Sequence, residues 1–147
     1  MRKFLIALVV LAFAFAAAPT FADVGGRPFT TTLTGANEVP GPGDPDASGT
    51  ASLTLNPGQG EVCFDLAWAG IDGTVTAAHI HAAPVGVAGP VVVPLFSGSF
   101  SGTDSTSACV SADRDLVLAI IQNPENYYVN IHSTVFPAGA VRGQLSK

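Results

Sequence analysis

Basic residues are scarce in this chain. Its 147 residues include six lysines and arginines against eleven aspartates and glutamates. Two of the six, Arg2 and Lys3, lie at the amino end, so residues 23–147 carry eleven acidic and four basic side chains, a net charge of −7. An acidic chain without basic clusters has no electrostatic attraction for nucleic acid or for an anionic membrane surface. The composition therefore disfavours both classes of partner.

No apolar run reaches the length of a membrane span. The longest, 4–18, is shorter than the about 20 residues that a spanning helix needs. It follows a basic start and precedes Thr20-Phe21-Ala22, the layout of a secretory signal peptide (1–22) cleaved after Ala22. An uncleaved anchor is the alternative, and the lack of a nearby cysteine disfavours a lipid anchor. We therefore predict one exported domain, 23–147, secreted or periplasmic, free of the membrane after cleavage, and most simply monomeric.

Cysteine is limited to Cys63 and Cys109. In an oxidising compartment an even number of cysteines favours a disulfide bond between them. The alternative is that a thiolate joins histidines around a metal, as in blue-copper sites.

Signatures of several enzyme classes are also missing. The sequence contains no G-x-S-x-G elbow, no phosphate-binding glycine loop and no paired-carboxylate pattern. Asp65 and Asp72 are the carboxylates nearest in sequence to the histidines of 74–84. A hydrolase is therefore disfavoured.

What the sequence does contain is the pattern of an all-β protein. Runs rich in threonine, valine, isoleucine and aromatic residues alternate with turn clusters such as 41–49 and 136–139. Strands are predicted at 28–35, 49–56, 61–68, 74–82, 90–96, a stretch ending at Val110, 127–134 and 140–145. Helical spacing appears only in 113–124. We predict a Greek-key, immunoglobulin-like β-sandwich of about eight strands with one short helix.

Alternation divides each predicted strand into a core face and an opposite face. The core sets are Val62, Phe64, Leu66 and Trp68; Thr76, Ala78 and Ile80; Tyr127, Val129 and Ile131; and Val141, Gly143 and Leu145. The opposite face receives His79 and His81; Tyr128, Asn130 and His132; and Arg142 and Gln144. With a hairpin through 136–139, His132 would pair with Arg142 and Asn130 with Gln144.

Histidine is rare, and its three copies all lie in predicted strands: His79, His81 and His132. An H-x-H pair on a strand points both imidazoles the same way, about 6.5–7 Å apart at Cα, which allows both to bind one ion. A third histidine from another strand would complete a three-nitrogen site with an open position, suited to copper, zinc or nickel. The alternative is that they are exposed sheet histidines with ordinary hydrogen bonds.

Three blocks carry a resemblance to a known family. LTGANEVP (33–40), VTAAHIHAAPVGVAGPVVVPLF (75–96) and YYVNIHSTVFPAGAVRGQL (127–145) resemble the CHRD domain, which is named after chordin and is common in exported bacterial proteins. The resemblance implies an immunoglobulin-like sandwich with distant similarity to copper–zinc superoxide dismutases.

The dismutase similarity suggests roles for several residues. It implies copper ligation by His79, His81 and His132 and an anion contact at Arg142, with Gln144 and Asn130 alongside. Three histidines are too few for the bridging and zinc ligands of those enzymes, so a full copper–zinc dismutase is excluded.

Three functions follow as hypotheses. The first is a non-enzymatic exported binding module whose ligand is copper or another divalent transition metal. The second is a copper-dependent redox enzyme acting on superoxide or a related oxidant. The third is a metal-free structural or adhesive module.

Overall fold

A computed structural model describes residues 25–147, so the predicted signal peptide lies outside the described residues. The elements are β1 (Arg27–Thr34), β2 (Ser48–Asn56), β3 (Glu61–Ala69), β4 (Val75–Ala82), β5 (Val91–Phe100), β6 (Asp104–Ser111), α1 (Arg114–Gln122), β7 (Tyr127–Ser133) and β8 (Val141–Gln144), with short 3-10 turns at Gly35–Asn37 and Pro124–Asn126. The eight predicted strands and the helix are confirmed. Within 25–147, no helix is both long and apolar enough to cross a membrane.

The strands form one antiparallel sheet in the order β5-β4-β7-β8-β1-β2-β3-β6. After β3 the chain crosses to the far edge for β4 and β5, then returns to pair β6 with β3. This interleaving is a Greek-key arrangement. The two edge strands, β5 and β6, contact one another, so the sheet curls almost closed around a single core. The predicted all-β, sandwich-like class is confirmed in this form.

Strand alternation sets the core as predicted. In β3, Val62, Phe64, Leu66 and Trp68 are all buried, while the residues between them are partly or fully exposed. Asp113 caps the amino end of helix α1, because its side chain accepts hydrogen bonds from the backbone N–H groups of Asp115 and Leu116. The helix buries Val117 and Ile120. In β4, a register shift between Val75 and Ala77 buries Val75 instead of the expected Thr76.

The pairing of β7 with β8 differs from the expected register. Asn130 lies opposite Arg142 and Tyr128 opposite Gln144, so the predicted pairs His132–Arg142 and Asn130–Gln144 are wrong by two residues. The connection is longer than a tight hairpin: the Ser133 N–H donates to the Phe136 carbonyl, the Phe136 N–H donates to Oγ of Ser133, and the chain re-enters the sheet only at Val141. An even shift keeps every side chain on its predicted face.

The predicted disulfide is confirmed: Cys63 on β3 and Cys109 on β6 are directly opposite and bonded, with an S–S distance of 2.02 Å. The bond consumes both thiols, which excludes a thiolate from any metal site.

Candidate metal site

Neighbouring strands β4 and β7 bring the three histidines together on the sheet face opposite the core. His79 pairs with Asn130 and His81 with Tyr128, which places His132 diagonally beside His79. The ring centroids of His79 and His132 are 4.8 Å apart, and those of His81 lie 5.6 Å from His79 and 5.7 Å from His132. One ring nitrogen from each histidine lies within 4.8 Å of the other two.

These histidines are not open to solvent. His81 is 7% exposed and His132 is 9% exposed, while His79 is half-buried. The exposure expected in the alternative is therefore wrong for His81 and His132. The cover comes from loops: the connections 83–90 and 134–140 lie over the outer face and bond to the rings.

The loop contacts of His81 and His132 indicate which nitrogen of these two rings carries hydrogen. Nδ1 of His81 lies 2.9 Å from the Gly89 carbonyl oxygen, and Nδ1 of His132 lies 3.2 Å from that of Pro137. Because a carbonyl only accepts, each Nδ1 is the donor and each Nε2 keeps its lone pair. Both Nε2 atoms are buried without a hydrogen-bond partner, and so is Nδ1 of His79. This leaves three unpartnered nitrogens, one per histidine.

The surroundings also keep the imidazoles neutral. Burial lowers the pKa of His79 to about 4, and the neighbouring rings of His132 and His81 act in the same direction. Burial also lowers the pKa of His81 and of His132, although the carbonyl hydrogen bonds of both rings oppose the change. Neutral imidazole is the form that binds metal ions, so the set is ready to ligate at neutral pH.

Arg142 is a buried residue that holds a loop beside the histidines. It is 2% exposed, and its guanidinium donates to the carbonyls of Val87 (2.9 Å) and Pro84 (3.0 Å) and to Oε1 of Gln144 (3.1 Å). Its Cζ lies 3.4 Å from the centroid of the Tyr128 ring. The side chain predicted as an anion contact therefore holds the 83–90 loop.

Tyr128 and Gln144 complete this attachment. The Tyr128 ring stacks on His81, at 4.8 Å and 12° between planes, and its hydroxyl accepts from the Gly89 N–H. Gln144 donates to the Ala83 carbonyl. The loop that orients His81 is thus anchored by three side chains of β7 and β8.

Asn130 joins the site to a residue that sequence reasoning did not single out. Its Nδ2 donates to Oε2 of Glu38 (3.2 Å), a carboxyl that is only 5% exposed. Burial raises the pKa of Glu38 to about 7, and its hydrogen bond with Asn130 and the charge of Arg142 oppose the rise. The sequence signal for Glu38 was the block LTGANEVP (33–40), which was used only as part of the family resemblance.

We expect the metal-free protein to lose stability as the pH falls from 6.5 to 4. In this window the unfolded chain protonates three histidines that the folded protein holds neutral, so the unfolded state binds more protons. Glu38 acts oppositely, because its raised pKa stabilises the fold as pH falls from about 7 to 4.5, but it is one group against three. Urea unfolding at pH 7, 5.5 and 4.5 with a chelator measures the net effect of these groups on the free energy of unfolding.

The matched variant is Glu38→Gln, which removes the opposing group and should steepen the loss. A free energy of unfolding that is constant or rises toward pH 4.5 in the wild type would contradict the burial of the histidines.

Comparison with known proteins assigns the chain to a family. The family model described as the CHRD domain matches residues 29–145, a segment that includes the histidines, Glu38, Asn130 and Arg142. No protein of curated function and no solved structure shows significant similarity to the chain. Since the match spans most of the sequence, the chain belongs to the CHRD domain family.

Proposed function

We propose that this CHRD domain is an exported binding module that holds one transition-metal ion, copper foremost, between His79, His81 and His132. Two observations carry the proposal: each of the three histidines has a buried ring nitrogen without a hydrogen-bond partner, and a ring nitrogen of each lies within 4.8 Å of a ring nitrogen of the other two. Buried polar atoms are normally paired, so three orphans in one place need an explanation. A cation that accepts their lone pairs supplies one. The disulfide supports an oxidising, extracytoplasmic setting.

The geometry is compatible with such an ion. Metal–nitrogen bonds of about 2.0–2.1 Å place tetrahedral ligands about 3.3 Å apart, and the nitrogens here lie within 4.8 Å of one another. Binding one ion would therefore bring these nitrogens closer together by up to about 1.5 Å, the difference between the two distances. The carbonyls of Gly89 and Pro137 hold the donor nitrogens of His81 and His132, which preserves ring orientation in the manner of outer-shell partners in metal sites.

The donor set favours copper. The ligands are all imidazole, which suits copper and zinc, and affinity for divalent ions peaks at Cu(II). Bound copper would supply Lewis-acid or one-electron chemistry at the open position. The chain's own part is to keep the rings neutral, orient them through the loop carbonyls and cover them from bulk water.

Calorimetric titration of residues 23–147 with Cu(II) tests the proposal. We expect one ion per chain in the wild type, and an affinity at least about a hundredfold lower in His79→Ala and in His132→Ala, because each change removes a ligand that no other side chain replaces. Asp65→Ala, which removes an exposed carboxylate on β3, is the control and should bind normally. Absent binding, or equal binding in the histidine variants, would contradict the site and leave a metal-free structural or adhesive module.

A copper-dependent redox enzyme is the second candidate. Three ligands leave a coordination position open, which a purely structural site would normally close. Copper-loaded protein is assayed for superoxide disproportionation, with His81→Ala as the comparison. Binding without turnover supports the module, whereas turnover lost in His81→Ala supports the enzyme.

A further inference from the structure

Most of the unpartnered buried side-chain atoms of the described residues share one chemical property. Within residues 25–147, six buried side-chain atoms lack a hydrogen-bond partner: Glu38 Oε1, Asp44 Oδ1, His79 Nδ1, His81 Nε2, Asn130 Oδ1 and His132 Nε2. The amide oxygen of Asn130 and an ionised carboxylate oxygen are acceptors, and the tautomers of His81 and His132 make their Nε2 atoms acceptors too. Within the described residues, no hydrogen-bond donor reaches these acceptors.

Asn130 brings one of these oxygens beside His79, and Glu38 brings a second beside Asn130. Asn130 lies directly opposite His79 in the β4–β7 ladder, where paired Cβ atoms are about 4.5–5.5 Å apart. Because its Nδ2 donates to Glu38 Oε2, its Oδ1 is directed away from that bond and is left free. Asn130 is 2% exposed and Glu38 is 5% exposed, so bulk water does not satisfy these oxygens.

Arg142, the basic residue on this face of the sheet, does not donate a hydrogen bond to these oxygens. The guanidinium of Arg142 is engaged with the carbonyls of Pro84 and Val87 and with Gln144. An anion at the open position would therefore meet acceptor oxygens, whereas a molecule with O–H groups would donate to them. A buried acceptor oxygen that faces an anion is unfavourable, because the two negative groups repel one another and the oxygen gains no hydrogen bond.

We propose that the open side of the histidine site selects a neutral O–H-bearing small ligand, such as water or a hydroperoxide, over an anion, with Asn130 and Glu38 accepting its hydrogen bonds. The inference rests on the proposed function, because the ligand occupies the position that the three histidines leave open. Asn130 and Glu38 would contact this ligand, whereas the three histidines would bind the ion.

The test is an azide titration of Cu(II)-loaded protein at pH 8, above the pKa of about 7 of Glu38. The wild type is compared with Glu38→Gln, which keeps an oxygen for Asn130 and replaces the free acceptor by an N–H donor. A hydrogen bond to a charged group is worth about 1.5–3 kcal/mol, so we expect azide to bind about tenfold or more tightly in Glu38→Gln. Asp65→Asn removes one charge far from the site and should stay within about twofold of wild type.

Electron paramagnetic resonance provides the second readout. Hyperfine coupling to three nitrogens should be the same in Glu38→Gln and wild type, which shows an intact site. In the wild type alone, signals from exchangeable protons of bound water should persist in millimolar azide. Loss of these signals, or azide affinity unchanged by Glu38→Gln with all three nitrogens in place, overturns this inference and leaves the metal site standing. Failure of the wild type to bind Cu(II) overturns both.

Discussion

Cu(II) is expected to raise the free energy of unfolding by about 4 kcal/mol when the free ion is present at about a thousand times its dissociation constant. The gain arises because the folded chain holds all three ligands together, while the unfolded chain offers only the adjacent pair His79 and His81, with His132 far along the sequence. Urea unfolding with and without the ion measures it, and a chelator should reverse it.

His81→Ala should reduce this increase to about 1.4 kcal/mol or less, because an affinity at least about a hundredfold lower leaves the ion at no more than about ten times its dissociation constant. Each protein is compared with its own metal-free form, so any intrinsic cost of the substitution cancels. Equal stabilisation of the wild type and His81→Ala would place the bound copper elsewhere, and destabilisation of the wild type would mean that Cu(II) prefers the unfolded chain.

Removal of the disulfide should lower the free energy of unfolding by about 4 kcal/mol in the chain-entropy description of cross-links. Cys63 and Cys109 are 46 residues apart, so the bond removes many conformations from the unfolded chain. The measurement is urea unfolding of the double variant Cys63→Ala/Cys109→Ala against the oxidised wild type, with reduced wild type expected to match the variant.

Copper affinity is the control for that experiment. The disulfide joins β3 to β6, whereas the histidines lie on β4 and β7, so the folded double variant should bind Cu(II) as the wild type does. Stability that is equal in oxidised and reduced wild type would contradict the prediction.

Periodicity in the sequence was sufficient for the strands and for most of their faces, the start of β4 at Val75 and Thr76 being the exception. Alternation depends only on the two-residue repeat of a strand, so it placed Val62 to Trp68 in the core and the histidines opposite it. The β7–β8 register was beyond such reasoning, because it depends on how residues 134–140 fold back through Ser133 and Phe136.

Burial of the site was also beyond strand patterns. The outer face of a sheet is normally read as solvated, yet loops cover His81 and His132, and Arg142 is engaged by the carbonyls of Pro84 and Val87. Glu38 is distant in sequence from every histidine, and only tertiary packing brings it to Asn130. The identity of the candidate ligands followed from residue type and spacing, whereas their environment required the loops.

The pairing of β4 with β7 has a consequence for the order of events in the cell. These strands are separated in the chain by β5, β6 and α1, so they meet only through a long-range contact, of the kind that forms late in folding. Before then the chain presents two adjacent imidazoles, a weak chelate open to any metal in its surroundings. The three-nitrogen set exists only once folding is finished. Loading of the proposed metal site would therefore follow folding, and the compartment where folding ends would decide which ion the protein meets.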